Sequence, residues 1–239
     1  MHCLEYIIRR IKEGWKIIDT QYPFITLKSP DGIKKTVDIR NDIEILRPNA
    51  AGDETNISTQ VPSSGEHWDK VDEEIADDNT TYVKNDQNAI TNEIVWERDL
   101  YNLPAPSGSG TINCITVYAR FLTDVSGEHA KIVIKTHGVV YEAVKSLPSA
   151  EWVNRSETWT TNPYTGEAWT WEEIDALQVG ISLADKYLGF PINDYDFTTS
   201  CTQVYVEVDY TPKRPKKQIL HLDKGPHPRS RITYLGNLR

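Results

Sequence analysis

Apolar residues fall at helical spacing near the start of the chain. Leu4, Ile7, Ile8 and Ile11 share one face of a helix over residues 3–13, with Arg9, Arg10, Lys12 and Glu13 elsewhere. Three short runs follow, residues 15–19, 24–28 and 35–39, and each predicts a strand. Ser29-Pro30-Asp31-Gly32 predicts a hairpin turn between the last two, because Pro presets φ and Gly accepts a positive φ. Residues 1–46 therefore predict a small α+β head-piece. At that size an isolated core is marginal, so the piece is expected to pack on something.

The pattern then changes. Residues 48–65, rich in Asn, Gly, Ser and Thr, predict a loop, and from Trp68 onward the period is two. In residues 111–122, Ile115, Val117, Ala119 and Phe121 share a face. In residues 131–136, Ile132 and Ile134 point inward between Lys131 and Lys135. Residues 139–144, 153–160, 178–183 and 202–210 continue the series, the last with Val204, Val206, Val208 and Tyr210 on one side. Many short strands with polar outer faces predict a mainly β fold, an antiparallel β-sandwich that is jelly-roll-like, over residues 47–210. One short crossover helix is expected over residues 171–177. Thr170 and Glu173 fit a capping box, Ile174 and Leu177 point inward, and Gly180 follows the end. The missing regular helices argue against a parallel α/β sheet.

Charge divides the chain at the same places. Residues 1–46 carry a net +1, residues 47–210 a net −17 and residues 211–239 a net +7, within an overall −9. An acidic body excludes duplex DNA as its partner, since phosphate contacts need clustered Lys and Arg. Residues 211–239, with Pro212, Pro215, Pro226 and Pro228, predict a basic extended arm. Its cations Lys213, Arg214, Lys216, Lys217, Arg229 and Arg231 complement an acidic surface, its own or a neighbour's. The apolar patches Ile219-Leu220 and residues 232–235 also suit docking. No apolar run reaches the ~18 residues of a membrane span, so no membrane insertion is expected. The first residues lack the features of a signal peptide, so Sec export is not expected. Cys3, Cys114 and Cys201 are odd in number and form no C-x-x-C, which suggests neither a disulfide framework nor a zinc ribbon.

The chemistry on offer is sparse. No P-loop, GxGxxG, HExxH or GxSxG occurs, and Ser107-Gly108-Ser109-Gly110 leads into a strand, as a turn does. The six histidines are dispersed. The acid run from Asp69 to Asp78 offers hard oxygen ligands for Ca2+, with Asp72, Asp77 and Asp78 as candidates; otherwise it is a solvated face around Val71 and Ile75. No other cofactor is suggested. Trp159 and Trp171 fit core positions, whereas Trp68, Trp96 and Trp152 are candidates for exposed indoles that stack on sugar rings. No local feature singles out a carboxylate pair for glycoside hydrolysis.

A longer pattern completes the reading. It comprises Arg47-Pro48-Asn49-Ala50-Ala51-Gly52, then Trp68, Val71-Asp72-Glu73 and Thr80-Thr81-Tyr82-Val83. It continues with Trp159-Thr160-Thr161-Asn162-Pro163, Thr165-Gly166, Ala168-Trp169-Thr170-Trp171 and Ile174-Asp175-Ala176-Leu177-Gln178, and closes on residues 201–210. This text resembles jelly-roll-like β-sandwich proteins of tailed phages, archaeal viruses and prophages, over about residues 47–211. The resemblance implies a virion or surface component and brings no catalytic residues with it. The expected function is therefore non-enzymatic: a structural virion protein of a prokaryotic virus (head decoration, neck or tail attachment), assembled in the host cytoplasm. Its partners would be copies of itself and other virion proteins, docked through the head-piece and the arm. The alternative is a carbohydrate-binding surface module with a glycan partner, and a further one a glycoside hydrolase or lyase.

Overall fold

The computed structural model describes residues 11–19, 24–38, 42–86, 93–186 and 197–213. Strand makes up 56% of it and helix 6%, so the fold is mainly β, as the alternation predicts. Strands β1 (Lys16–Asp19), β2 (Phe24–Lys28) and β3 (Lys34–Asp38) form an antiparallel sheet in that order. The turn at residues 29–32 closes as expected, with Gly32 at φ +93° and its N–H donating to the Ser29 carbonyl at 3.0 Å. Ile11 and Lys12 are helical; the rest of the helix expected over residues 3–13 is largely outside the described residues.

The sandwich consists of two antiparallel sheets around one core. Its central eight strands are β7 (Tyr82–Asn85), β8 (Val95–Asn102), β9 (Gly110–Thr123), β10 (Gly127–Thr136), β11 (Val139–Leu147), β12 (Val153–Trp159), β13 (Gln178–Asp185) and β14 (Thr199–Pro212). They are ordered β11-β10-β13-β8 in one sheet and β12-β9-β14-β7 in the other, which is the double Greek key of a jelly roll. Further strands extend them. Strand β5 (Ala50–Thr55) pairs with β8, β6 (Thr59–Val61) pairs with β7, and β4 (Asp42–Leu46) pairs with the far half of β14. The inward rows of β9 and β14 meet in register: Ala119, Val117 and Ile115 lie opposite Val204, Val206 and Val208, all buried. Each buried valine and isoleucine of this row contributes about 1.5–3 kcal/mol of transfer free energy. Helix α1 (Trp171–Asp175) carries the expected capping box: Thr170 Oγ1 accepts from the Glu173 N–H, and Glu173 Oε2 accepts from the Thr170 N–H.

The structure departs from the expectations at four places. The loop expected over residues 48–65 contains β5 and β6, short edge strands whose half-exposed polar side chains hide the period of two. Strand β8 was not expected because its inward positions hold Glu97 and Asp99, both buried, which erases the apolar alternation. Residues 42–46, expected in the head-piece, are hydrogen-bonded into the sandwich through β14. Likewise Thr211 and Pro212, grouped with the arm, complete β14.

The two ends of the sandwich differ. Asn85, opposite Thr199 at the start of β14, donates from Nδ2 across to the carbonyls of Val95 (3.1 Å) and Leu183 (2.8 Å). At the other end Trp171 packs edge-on against Tyr210 and donates from Nε1 to the Gly110 carbonyl at 3.0 Å. Asp42 lies opposite Tyr210, so the chain arrives at the sandwich and leaves it at that second end. No helix among the described residues is long and apolar enough to cross a membrane.

Candidate functional site: a groove on the five-stranded sheet

Along β8 the side chains alternate, so Trp96 and Arg98 stand on the outer face while Glu97, Asp99 and Tyr101 turn inward. Register brings Arg98 opposite Ser182 of β13, Ser182 opposite Lys131 of β10, and Lys131 opposite Val144 of β11. Strand β5 provides the wall. Its pairing with β8 jumps between Ala51 and Thr55, so residues 52–54 bulge over the outer face. Gly52 lies so close to the sheet that a Cβ there would stand 2.6 Å from the Leu100 carbonyl oxygen. The bulge is fastened by Asp53, whose N–H donates to Gln178 Oε1 at 3.2 Å and whose carboxylate accepts from Lys135 Nζ at 2.6 Å.

The result is an open groove of about 630 Å³, within the ordinary range for ligand sites. A network of paired charges lines it. Arg98 donates from Nε and Nη2 to both oxygens of Glu54, at 2.8 and 2.9 Å, and from Nη1 to Glu142 Oε1 at 3.0 Å. Glu142 also accepts from Lys131 Nζ at 2.7 Å and from Ser182 Oγ at 3.2 Å. Burial pushes the Glu142 carboxyl up, but these donors outweigh it and hold it below the usual value. The Lys131 ammonium lies 4.4 Å from the centre of the half-buried Trp96 ring.

The wall is held from inside the sandwich. Asp99, fully buried, accepts at Oδ1 from the N–H groups of Asn56 (2.8 Å) and Ile57 (2.9 Å). Its Oδ2 faces His67 Nδ1 at 2.7 Å and accepts from the Tyr101 hydroxyl at 3.2 Å. Glu97 Oε2 accepts from the Ser58 N–H at 2.7 Å. These bonds explain why a strand in a hydrophobic core carries two acids. The hydrogen bond to Asp99 raises the His67 imidazole above its ordinary value against the opposing effect of burial.

The residues singled out by sequence are dispersed. Trp96 is in the groove. Trp68 begins its packing from a 3-10 turn (His67–Lys70) against the core, and Trp152 meets the edge of Tyr82 with ring centres 6.3 Å apart. All three are half-buried, and they do not converge. Trp159 and Trp171 pack against the core, and Trp169, buried, donates to the Trp159 carbonyl. Among the Ca2+ candidates, Asp78 is engaged by Arg120 through two bonds of 2.5 and 2.9 Å. Asp77 Oδ1 accepts from the Thr81 N–H and from the hydroxyls of Thr81 and Thr202. Burial pushes the Asp72 carboxyl up. Among the described residues no three His, Cys, Asp or Glu side chains form a group able to hold a metal. Of the arm, Lys213 is exposed, and Arg214, Lys216, Lys217, Arg229 and Arg231 lie outside the described residues.

Glu54, Arg98, Lys131, Glu142 and Ser182 were not singled out. They come from five different strands, and each reads locally as an ordinary outward polar residue.

Comparison with family models and with curated proteins finds no match. Among solved structures, the chain is similar to one described as an exo-beta-agarase, at 10% identity and a TM-score of 0.32. The overlap covers 74% of this chain and 23% of that one. So slight a likeness gives no ground for carrying the agarase's activity to this chain.

Proposed function

We propose that the sandwich is a non-enzymatic binding module that takes a glycan in the groove of the five-stranded sheet. The observation that carries this reading is the convergence of Trp96 with Arg98, Glu54, Glu142 and Ser182 around one open volume. An indole offers an apolar plane for the C–H face of a sugar ring, and fixed acceptors and donors beside it meet hydroxyl groups. The reading also accounts for the groove's position. Trp96 lies near the end where β14 begins, away from the end where Asp42 and Tyr210 pair, so the ligand end and the attachment end are opposed. The test is affinity electrophoresis or calorimetry against a polysaccharide panel. Trp96→Ala is expected to weaken binding at least about tenfold, the scale of one lost aromatic contact. Arg120→Met, on the opposite sheet, leaves binding unchanged. Failure to retain any polysaccharide would sink the proposal.

A second reading, assembly within the virion of a prokaryotic virus, is favoured by the shared attachment end. Strand β4 leads in from the head-piece beside the end of β14, and it exposes Ile43 at 59% and Ile45 at 51%. Such a pair on an edge strand invites a neighbouring subunit. Truncation after Lys213 would reduce assembly size in light scattering if the arm holds copies together; an unchanged size would remove the arm from that role.

A further inference from the structure

The groove's charges also define the class of glycan, given the glycan-binding reading above. Both cations at its floor are already neutralised at contact distance. The Arg98 guanidinium meets Glu54 at 2.8 Å and Glu142 at 3.0 Å, and the Lys131 ammonium meets Glu142 at 2.7 Å. Glu97, at the same groove, turns its carboxylate inward to the Ser58 N–H. Two cations and three carboxylates therefore line the groove. A uronate, sulfate or sialate arriving there would have to displace Glu54 or Glu142 from its partner while adding a negative charge beside it. That carboxylate would then be left without its cation in a partly desolvated site, which is unfavourable. A cationic sugar would compete with Arg98 and Lys131 for the same oxygens and with Lys131 for the Trp96 ring.

A neutral sugar displaces neither Glu54 nor Glu142 from its cation. Its hydroxyls donate to the remaining lone pairs of Glu54 and Glu142, while its ring oxygen and hydroxyls accept from the side-chain amide of the exposed Asn56. We infer that the groove selects an uncharged glycan over an acidic or amino-substituted one. The ion-paired network acts as a fixed polar template and not as a charge receptor. Two consequences separate this from ordinary charge-driven capture: affinity depends little on salt, and neutralising a single cation in the network makes recognition worse by unpairing a carboxylate.

The experiment titrates the full-length protein against matched neutral, carboxylated and sulfated polysaccharides of one backbone, at low and high salt. The expected result is preference for the neutral chain by at least about tenfold, with a change of less than about twofold between salts. Lys131→Gln and Arg98→Gln are expected to weaken neutral binding with the far-UV dichroism unchanged. Should Arg98→Gln fail to fold, Lys131→Gln, which leaves the paired Arg98 and Glu54 in place, decides the point alone. Tighter binding of the acidic chain, or affinity that falls steeply with salt, overturns the inference while leaving a glycan-binding groove. Binding to none of the three chains overturns the function proposed above, and this inference with it.

Discussion

The two outer faces of the sandwich are built from the same kinds of residue and do different things with them. On the six-stranded sheet the polar and aromatic side chains use one another up across a flat surface. Tyr118 and Tyr205 stack at 4.8 Å with their rings 9° from parallel, the Arg47 guanidinium lies 5.0 Å from the Tyr205 ring, and Arg120 clasps Asp78. On the five-stranded sheet Trp96, Arg98, Lys131 and Glu142 are equally well paired, yet they line a volume. The difference is the two-residue shift in the pairing of β5 with β8, where residues 52–54 stand against Leu100 alone, which lifts Glu54 above the sheet as a wall. A binding groove on a sheet thus depends on what rises beside the strands more than on which side chains the strands display. The wall in turn depends on acids buried beneath it.

The largest test of that dependence removes the buried support. Asp99→Ala leaves the Ile57 N–H, the Tyr101 hydroxyl and His67 without their acceptor, while the Asn56 N–H keeps only the Arg98 carbonyl at 3.1 Å. A loss of about 3–5 kcal/mol is expected by denaturant titration. A loss below about 1 kcal/mol would mean that the wall stands without it.

A smaller effect is expected from lifting the wall itself. In Gly52→Val the new Cβ would stand 2.6 Å from the Leu100 carbonyl oxygen, so residues 52–54 must move outward. Stability should fall by about 1–3 kcal/mol, with glycan binding weakened and the stacked tyrosines of the other face undisturbed in near-ultraviolet dichroism. Retained binding would separate the groove from its wall.

The smallest effect is a pH dependence with opposite signs at two histidines. His67 is raised above its ordinary value by Asp99, so its contribution is complete below the unfolded value and fades as pH rises through the raised one. His129, stacked on Phe197, is lowered by burial, so its contribution holds above the unfolded value and fades as pH falls through the lowered one. In thermal melts from about pH 5 to 9, His67→Gln should flatten the alkaline-side decline and His129→Gln the acid-side decline. Identical slopes in both variants would refute this assignment.

How legible all this was depends on where the information lies. The valine row of β14, the capping box at Thr170 and the turn ending at Gly32 are local signals, and each predicts its element within a few residues. Strand β8 was illegible because its inward side carries Glu97 and Asp99, whose partners are N–H groups roughly forty residues earlier in the chain. Trp96 was legible as a candidate by residue type alone, but the same reasoning chose Trp68 and Trp152, which pack elsewhere. The acid run from Asp69 to Asp78 suggested a cation site, whereas Asp77 and Asp78 are taken up by Thr81, Thr202 and Arg120.

The sequence by itself determined that this chain is mainly β, where its long strands run, and that an acidic body is followed by a basic tail. Those properties follow from side-chain alternation, turn chemistry and charge, all read over a few adjacent residues. Only the tertiary structure decided that Glu54, Trp96, Arg98, Lys131, Glu142 and Ser182 share one groove, and that the chain joins the sandwich at the opposite end. The reason is register: antiparallel pairing sets together residues that are scores of positions apart, and a bulge in one edge strand turns a flat face into a walled one.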